Sequence, residues 1–216
     1  MKFVTFKADG QTRIGALDGS SVTELTNLPA GVSDLRGLLE AVAPADLVNV
    51  EAKGASWDLS AVELLPVIPN PNKIICVGVN YRSHREETGL DPNLKPTIFT
   101  RFADTQIGHG AVVAHPSATD SFDYEGELAV IIGRDAKDVA AADAWSVVAG
   151  FAPYNDLTAR DWQKHSTQWI PGKNFPETGA FGPAMVTLDE IDDVPSVELT
   201  TRVNGDVRQN ATLADM

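Results

Sequence analysis

Apolar and polar residues follow one another along this chain in lengths that are typical of β-strands. Residues 2–17 alternate around Asp9-Gly10, a dipeptide that favours a tight hairpin turn. Two continuous apolar runs, 74–79 and 128–132, are rich in β-branched residues and predict strands buried between packed layers. A second hairpin is predicted at Asn204-Gly205. The pattern therefore predicts an α+β protein that is mainly β.

Helical spacing is confined to short segments. Ser33 is predicted to cap a helix whose apolar positions recur over residues 35–42. The polar segment 80–89 predicts a short helix that Gly89 ends. Helices are thus expected to be few and short beside the strands.

A proline-rich segment separates two parts of the chain. Pro66, Pro69 and Pro71 lie close together, and proline cannot continue a helix or a central strand. We therefore predict a small α+β domain over residues 1–68 and a larger domain over residues 69–216. Nothing in the first domain suggests chemistry.

Composition and charge narrow the possible partners and compartment. The 216 residues carry a formal net charge of −13, and their 17 Lys and Arg form no basic block, so neither nucleic acid nor a membrane is an expected partner. No apolar run is long enough to span a bilayer, and the first residues lack the pattern of an export signal, so we expect a cytoplasmic protein. The single cysteine, Cys76, cannot form an intrachain disulfide and is interpreted as a small buried hydrophobe.

An acidic pair stands at the start of the second apolar run. Glu125 and Glu127 alternate on a predicted strand, so their side chains point the same way and repel unless a positive group lies between them. Gly126 between them allows another group to approach closely. A divalent cation satisfies this arrangement. The alternative is a solvated pair, or one neutralised by Lys and Arg.

Two other polar positions are candidates for catalysis. His84 and Glu87 are three residues apart, so on a helix the carboxylate can orient the imidazole as a general base. The alternative is a solvated helix with surface ion pairs. Lys173 lies among glycine, proline and aromatic residues that could hold it beside a developing anion, whereas the alternative is an ordinary surface lysine.

A polar helix face is predicted directly after a buried strand. Asp156 or Asn155 is expected to cap this helix, and Asp156, Arg160 and Gln163 then recur along one face. Such a stripe is commonly solvent-exposed. Its place after a strand of a rigid scaffold also suits a binding site.

Five motifs, in this order and spacing, resemble the fumarylacetoacetate hydrolase superfamily over roughly residues 73–216. The motifs are Gly78-Val79-Asn80-Tyr81-x-x-His84-x-x-Glu87, Asp123-Tyr124-Glu125-x-Glu127-Leu128, Asn155-Asp156-x-x-Ala159-Arg160-Asp161-Trp162-Gln163, Gly172-Lys173-x-Phe175 and Thr201-Arg202-x-Asn204-Gly205.

The resemblance implies a fold, an assembly and a cofactor. The fold is a mixed β-sandwich roll, here preceded by the small α+β domain, and the assembly is a homodimer. The cofactor is Mg²⁺, or Mn²⁺ or Ca²⁺, and an all-oxygen ligand set suits such hard cations. Members of the superfamily normally continue past the end of this chain with a Gly-Thr-Pro turn that contacts the substrate, so the chain is expected to lack the last segment of the domain.

The resemblance also implies roles for individual residues. The implied metal ligands are Glu125, Glu127 and Asp156. The implied base is the His84 and Glu87 dyad on a mobile segment, and Lys173 is the cationic stabiliser. Arg160 and Gln163 are the implied substrate contacts.

The implied reaction is hydrolysis of a C–C bond in a 1,3-diketo or acylpyruvate-type acid. In this hypothesis water activated by His84 attacks a carbonyl, and the leaving enolate is held at the metal and countered by Lys173. The alternatives are an isomerase or decarboxylase of a 2-oxo or 2-hydroxymuconate-type acid, and a non-catalytic, metal-stabilised binding protein. The partner expected for either enzyme is a small keto acid.

Overall fold

The computed structural model of the protein describes residues 1–89 and 95–216. Its strands are β1 (Lys2–Ala8), β2 (Gln11–Asp18), β3 (Ser21–Thr26), β4 (Glu51–Asp58), β5 (Glu63–Leu64), β6 (Ile74–Gly78), β7 (Thr97–Arg101), β8 (Gln106–Gly108), β9 (Phe122–Asp123), β10 (Gly126–Ile132), β11 (Val148–Asp156), β12 (Thr158–Ala159), β13 (Gly179–Phe181), β14 (Met185–Thr187), β15 (Glu198–Val203) and β16 (Asp206–Thr212). Its α-helices are α1 (Leu35–Ala41), α2 (Arg82–Thr88), α3 (Arg160–Gln163) and α4 (Ile170–Lys173). Within these residues, no helix has the length and apolar character needed to cross a membrane.

One large sheet organises the molecule. Its strand order is β4-β3-β2-β1-β14-β11-β13-β8, with β10 beside β11 and β5 beside β1. The β8–β13 pair is parallel, whereas the other pairs in this sheet are antiparallel, so the sheet is mixed. Smaller pairs join β6 to β7, β9 to β12 and β15 to β16. The predicted class, α+β and mainly β, is confirmed.

The sheet and the core continue across the predicted domain boundary. β1 pairs with β14, where Lys2 lies opposite Val186 and Phe3 opposite Met185. The main core cluster likewise combines side chains from before and after the proline-rich segment, among them Phe3, Leu35 and Met185, all fully buried. The division into residues 1–68 and 69–216 stays a prediction.

Both predicted hairpin turns are confirmed. Asp9 and Gly10 have φ of 51° and 74°, and Asn204 and Gly205 have φ of 53° and 88°. Left-handed backbone at both central positions is what Asn-Gly and Asp-Gly dipeptides tolerate, and the resulting turn matches the twist of the flanking strands. The predicted helix at 80–89 is also confirmed as α2, and Gly89 ends it in the left-handed conformation.

The cap of α1 lies one residue after its predicted position. The side chain of Asp34, not Ser33, accepts a hydrogen bond from the backbone N–H of Gly37 at 2.7 Å. A second carboxylate oxygen of Asp34 accepts from the side-chain amide of Asn70 at 2.9 Å. An ionised aspartate can accept both hydrogen bonds at once. Because Ser and Asp are both common N-cap residues, the sequence pattern could not tell whether Ser33 or Asp34 caps the helix.

The predicted burial of two strands is wrong. Ile75 and Val77 on β6 are 60% and 44% exposed, and Val130 and Ile132 on β10 are 49% and 54% exposed. A β-branched run predicts a strand, but it does not tell whether both faces are covered. Here one face of each strand packs inward and the other is uncovered within the described residues.

The helix predicted to begin at Asn155 or Asp156 is also absent there. Asp156 is the last residue of β11 and lies opposite Gly179 of β13. Its N–H donates to the carbonyl of Glu125 at 2.8 Å, which continues the sheet ladder. The single-turn helix α3 begins only at Arg160. The sheet hydrogen bonds therefore prevail over the local capping signal of Asn155-Asp156.

Candidate active site

Two adjacent strands bring the predicted carboxylates together. Glu125 directly precedes β10, Glu127 lies within it, and Asp156 ends the neighbouring β11. In the ladder Glu127 lies opposite Tyr154, so the acidic ends of both strands meet. A side chain at Gly126 would collide with the hydroxyl of Thr201, so glycine permits this close approach.

Lys173 joins two of the carboxylates. Its side chain is 1% exposed, and its Nζ donates to Oε2 of Glu125 at 2.6 Å and to Oδ2 of Asp156 at 2.8 Å. The ammonium also lies 5.0 Å from the centre of the Phe99 ring. The surface-lysine alternative is therefore excluded by the burial of this side chain in a charged cluster.

Arg160 and Gln163 lie beside the same cluster. Nη1 of Arg160 donates to Oε1 of Glu125 at 2.5 Å and to Oε1 of Gln163 at 3.1 Å. Its Nε donates to Asp123 at 2.9 Å. The two predicted substrate contacts thus touch one another and a predicted metal ligand, although their role toward a substrate stays a prediction.

Two residues of this cluster, Asp123 and Arg101, are not among the predicted site residues. Asp123 pairs with Arg160, and Arg101 pairs with Asp156 while its side chain is fully buried. Asp123 stood in the motif Asp123-Tyr124-Glu125, so an acidic partner for a nearby arginine was visible there. Arg101 was visible only as one arginine at the end of an otherwise neutral strand.

Of the three carboxylates, Glu127 makes no ion pair with a Lys or Arg side chain within residues 1–89 and 95–216, whereas Glu125 and Asp156 do. Burial and the negative charges of Glu125 and Asp156 raise the pKa of Glu127 to about 7, against a smaller opposing effect of Lys173. The pKa of the Tyr81 hydroxyl is raised as well, by burial and by the charge of Glu127. The hydroxyls of Tyr81 and Tyr154 are buried without a hydrogen-bond partner among the described residues.

These donors fit a divalent cation in chemical type. Three carboxylates offer oxygen ligands that Mg²⁺, Mn²⁺ and Ca²⁺ prefer, and the uncompensated charge at Glu127 would be relieved by a cation. Within residues 1–89 and 95–216, however, no group of three His, Cys, Asp or Glu side chains is already arranged to hold a metal ion. The carboxylates of Glu125 and Asp156, which Lys173 contacts, already accept hydrogen bonds from Lys or Arg side chains. Each carboxylate oxygen keeps a second lone pair that could bind a cation.

His84 and Glu87 contact one another, and their role as a base dyad stays a prediction. Nδ1 of His84 lies 3.4 Å from Oε2 of Glu87, and both side chains are mostly exposed. Neither side chain hydrogen-bonds to the buried carboxylates in the part of the chain that the structure describes. Asp215 holds the start of α2, since its Oδ2 accepts from the N–H of Ser83 at 3.1 Å.

Comparison with known proteins matches these features to one family. The family described as "Fumarylacetoacetate (FAA) hydrolase C-terminal" matches residues 73–216, and the family "Rv2993c-like, N-terminal" matches residues 1–66. The oxaloacetate tautomerase YisK of Bacillus subtilis (strain 168) is 34% identical over 239 residues, which cover 100% of this chain and 79% of that protein.

Solved structures share the whole fold. A fumarylacetoacetate hydrolase from Exiguobacterium antarcticum is 32% identical with a TM-score of 0.81, covering 100% of this chain and 76% of that one. A 5-carboxymethyl-2-hydroxymuconate delta-isomerase from Mycobacterium smegmatis is 32% identical with a TM-score of 0.78, covering 100% of this chain and 77% of that one. The matched motifs, the sheet-rich roll and the clustered carboxylates all lie within the aligned region. The chain therefore belongs to the fumarylacetoacetate hydrolase family.

Proposed function

We propose that the protein interconverts the keto and enol forms of a small dicarboxylic 2-oxo acid, as an oxaloacetate tautomerase does. Similar proteins are named as an oxaloacetate tautomerase, a 5-carboxymethyl-2-hydroxymuconate delta-isomerase and a fumarylacetoacetate hydrolase. Tautomerisation needs a stabilised enolate and a proton carrier, but it needs no attacking water. We propose that buried groups of the cluster meet the first of these requirements.

The observation that carries the proposal is the buried ammonium of Lys173. This cation is 1% exposed and fixed by two carboxylates at 2.6 and 2.8 Å. A fixed positive charge in a water-poor site stabilises negative charge that develops on a substrate oxygen, because it need not reorganise during the reaction. Lys173 is proposed to face the enolate oxygen in this way.

The carboxylates of Glu125, Glu127 and Asp156 are proposed to hold a divalent cation, Mg²⁺, Mn²⁺ or Ca²⁺. When bound, such an ion supplies Lewis acidity, which makes the carbon acid next to an oxo group easier to deprotonate. The guanidinium of Arg160 and the amide of Gln163 are proposed to bind the far carboxylate of the substrate.

His84 is the proposed proton carrier. Its contact with Glu87 at 3.4 Å orients the imidazole, and its exposure on α2 lets it exchange protons with solvent. This same dyad favours a second candidate function, hydrolysis of a C–C bond in an acylpyruvate, because an oriented imidazole can also activate water.

The test follows the loss of the ultraviolet absorbance of enol-oxaloacetate with the purified protein, in Mg²⁺ and in excess chelator. We expect the protein to accelerate this loss with Mg²⁺ and not in excess chelator. In Lys173→Met the rate should fall by about 100-fold or more, because the substitution removes one electrostatic stabiliser. Lys53→Met is the matched control, since Lys53 pairs with Glu51 on the surface and its side chain is 67% exposed. Circular dichroism verifies folding of both variants.

The same preparations are then offered acylpyruvates, and released pyruvate is measured. If the protein released pyruvate but did not accelerate tautomerisation, hydrolysis would be its function in place of the proposed tautomerisation. Neither activity in the wild-type protein with Mg²⁺, Mn²⁺ or Ca²⁺ would overturn both and favour a non-catalytic binding protein.

A further inference from the structure

We propose that Arg101 is a positioning residue that fixes the carboxylate of Asp156 for cation binding. The inference rests on the proposed function, in which Asp156 is a ligand of the cation. Arg101 ends β7, and its side chain has no exposed surface. It is not itself proposed to touch a substrate or the cation.

The guanidinium of Arg101 is held by groups from several parts of the chain. Nη1 donates to Oδ1 of Asp156 at 2.5 Å and to the carbonyl of Leu157 at 3.2 Å. Nη2 donates to Oγ1 of Thr178 at 2.8 Å, and Nε donates to Oγ1 of Thr105 at 3.3 Å. The planar group is therefore fixed in one orientation, which a flexible lysine at this position could not reproduce.

The two supporting hydroxyls are themselves anchored. Thr105 donates to the carbonyl of Phe102 at 2.7 Å, and Thr178 donates to the carbonyl of Phe175 at 2.6 Å. Each hydroxyl thus gives its proton to the backbone and keeps a lone pair for Arg101. Thr178 also lies directly before Gly179, where a side chain would collide with Tyr154 and approach Nε of Arg101. The surroundings are shaped for an arginine.

This arrangement grips Asp156 from two sides. Arg101 takes one carboxylate oxygen, and Lys173 takes the other at 2.8 Å. A carboxylate held in this way cannot rotate, so its remaining lone pairs keep a constant direction. Donors that orient a metal-ligating carboxylate in this manner typically contribute 10–100-fold to metal affinity.

The experiment measures Mn²⁺ affinity from the electron paramagnetic resonance signal of the free ion. We expect Arg101→Lys to weaken Mn²⁺ binding by about 10-fold or more, because lysine keeps the charge but loses the fork of donors. The matched control is Arg13→Lys. Arg13 also pairs with a carboxylate, Glu24, at 2.6 Å, and it lies 5.2 Å from the centre of the Trp57 ring as Arg101 lies 6.0 Å from that of Tyr154. It lies on β2, and it donates hydrogen bonds to Glu24 and Gln11, which are not part of the carboxylate cluster.

Unchanged Mn²⁺ affinity in folded Arg101→Lys would overturn the inference, as would an equal loss in Arg13→Lys. If Arg101→Lys does not fold, Thr178→Val serves instead, because it removes one partner of Nη2 and leaves the charge pair in place. Weaker Mn²⁺ binding in that variant supports the inference, and wild-type affinity overturns it. Absence of Mn²⁺ binding to the wild-type protein would instead overturn the cation site of the proposed function and the inference with it.

Discussion

Single side chains in the carboxylate cluster differ sharply in how their charge is balanced. Glu125 and Asp156 each accept hydrogen bonds from two cationic side chains. Glu127 accepts none from the described residues, and its pKa is raised to about 7 by burial and by its two acidic neighbours. A buried, unpaired carboxyl group favours its neutral form. Glu127 is therefore expected to make the stability of the metal-free protein depend on pH.

Between pH 5 and 8 we expect the metal-free protein to lose stability as the pH rises. The pKa of Glu127 rises from an ordinary 4.5 to about 7 in the folded state, so its stabilising proton is fully bound below pH 4.5 and is lost through pH 7. The loss amounts to about 3 kcal/mol at most, at 1.36 kcal/mol for each unit of pKa. Urea unfolding in chelator should show this slope in the wild type and a smaller one in Glu127→Gln.

Glu63→Gln is the control for this prediction, because Glu63 on β5 is an exposed carboxylate outside the cluster. It should leave the pH dependence unchanged. Equal slopes in the wild type and in Glu127→Gln would contradict the prediction.

The sequence predicted part of this site because the relevant signals are local. Alternation placed Glu125 and Glu127 on one side of a strand, and rigid apolar neighbours singled out Lys173. The partners of Arg101 are scattered from Thr105 to Thr178, so only the folded chain brings them together. Local pattern also could not show that Lys and Arg, rather than solvent, surround Asp156.

At the scale of elements, turns and helix ends were predictable wherever backbone conformation depends on a few neighbouring residues. The two hairpins and the end of α2 at Gly89 are of this kind. The helix predicted to begin at Asn155 or Asp156 does not begin there, because hydrogen bonds from distant strands extend β11 through Asp156. Exposure of β6 and β10 was missed because it depends on which elements lie above them.

The cap of α1 allows a test at this scale. Asp34→Ala removes hydrogen bonds to Gly37 and Asn70, and we expect a loss of about 1–2 kcal/mol in the free energy of unfolding. Ser33→Ala should change it by less than about 0.5 kcal/mol, because Ser33 is exposed and does not cap the helix. Urea unfolding measures both. If Ser33→Ala lowered the free energy of unfolding more than Asp34→Ala does, Ser33 would be the cap, as predicted from the sequence.

The whole molecule is joined by a sheet and a core that cross the proline-rich segment. β1 pairs with β14, and Phe3, Leu35, Phe181 and Met185 belong to one buried cluster. Side chains from both parts therefore lose their packing together. We expect the N-terminal segment and the remainder to unfold as one cooperative unit.

Met185→Ala tests this coupling. Met185 is fully buried, so the truncation should lower the free energy of unfolding by about 2–5 kcal/mol through lost burial and a cavity. Calorimetry should show a single transition that moves to lower temperature as a whole. Val112→Ala is the control, because Val112 is 89% exposed and its truncation should have little effect. Two separate transitions, with only one shifted, would mean that the two parts unfold independently.

The pairing of β1 with β14 also has a consequence for how the chain folds while it is being made. Lys2 leaves the ribosome before its partner Val186, which follows 184 residues later. At about 5–20 residues per second, the delay is roughly ten to forty seconds. During this time β1 can pair with β2, but the edge that β14 will cover stays open to other chains. Slower translation of the central part of the message should therefore increase aggregation of the nascent protein.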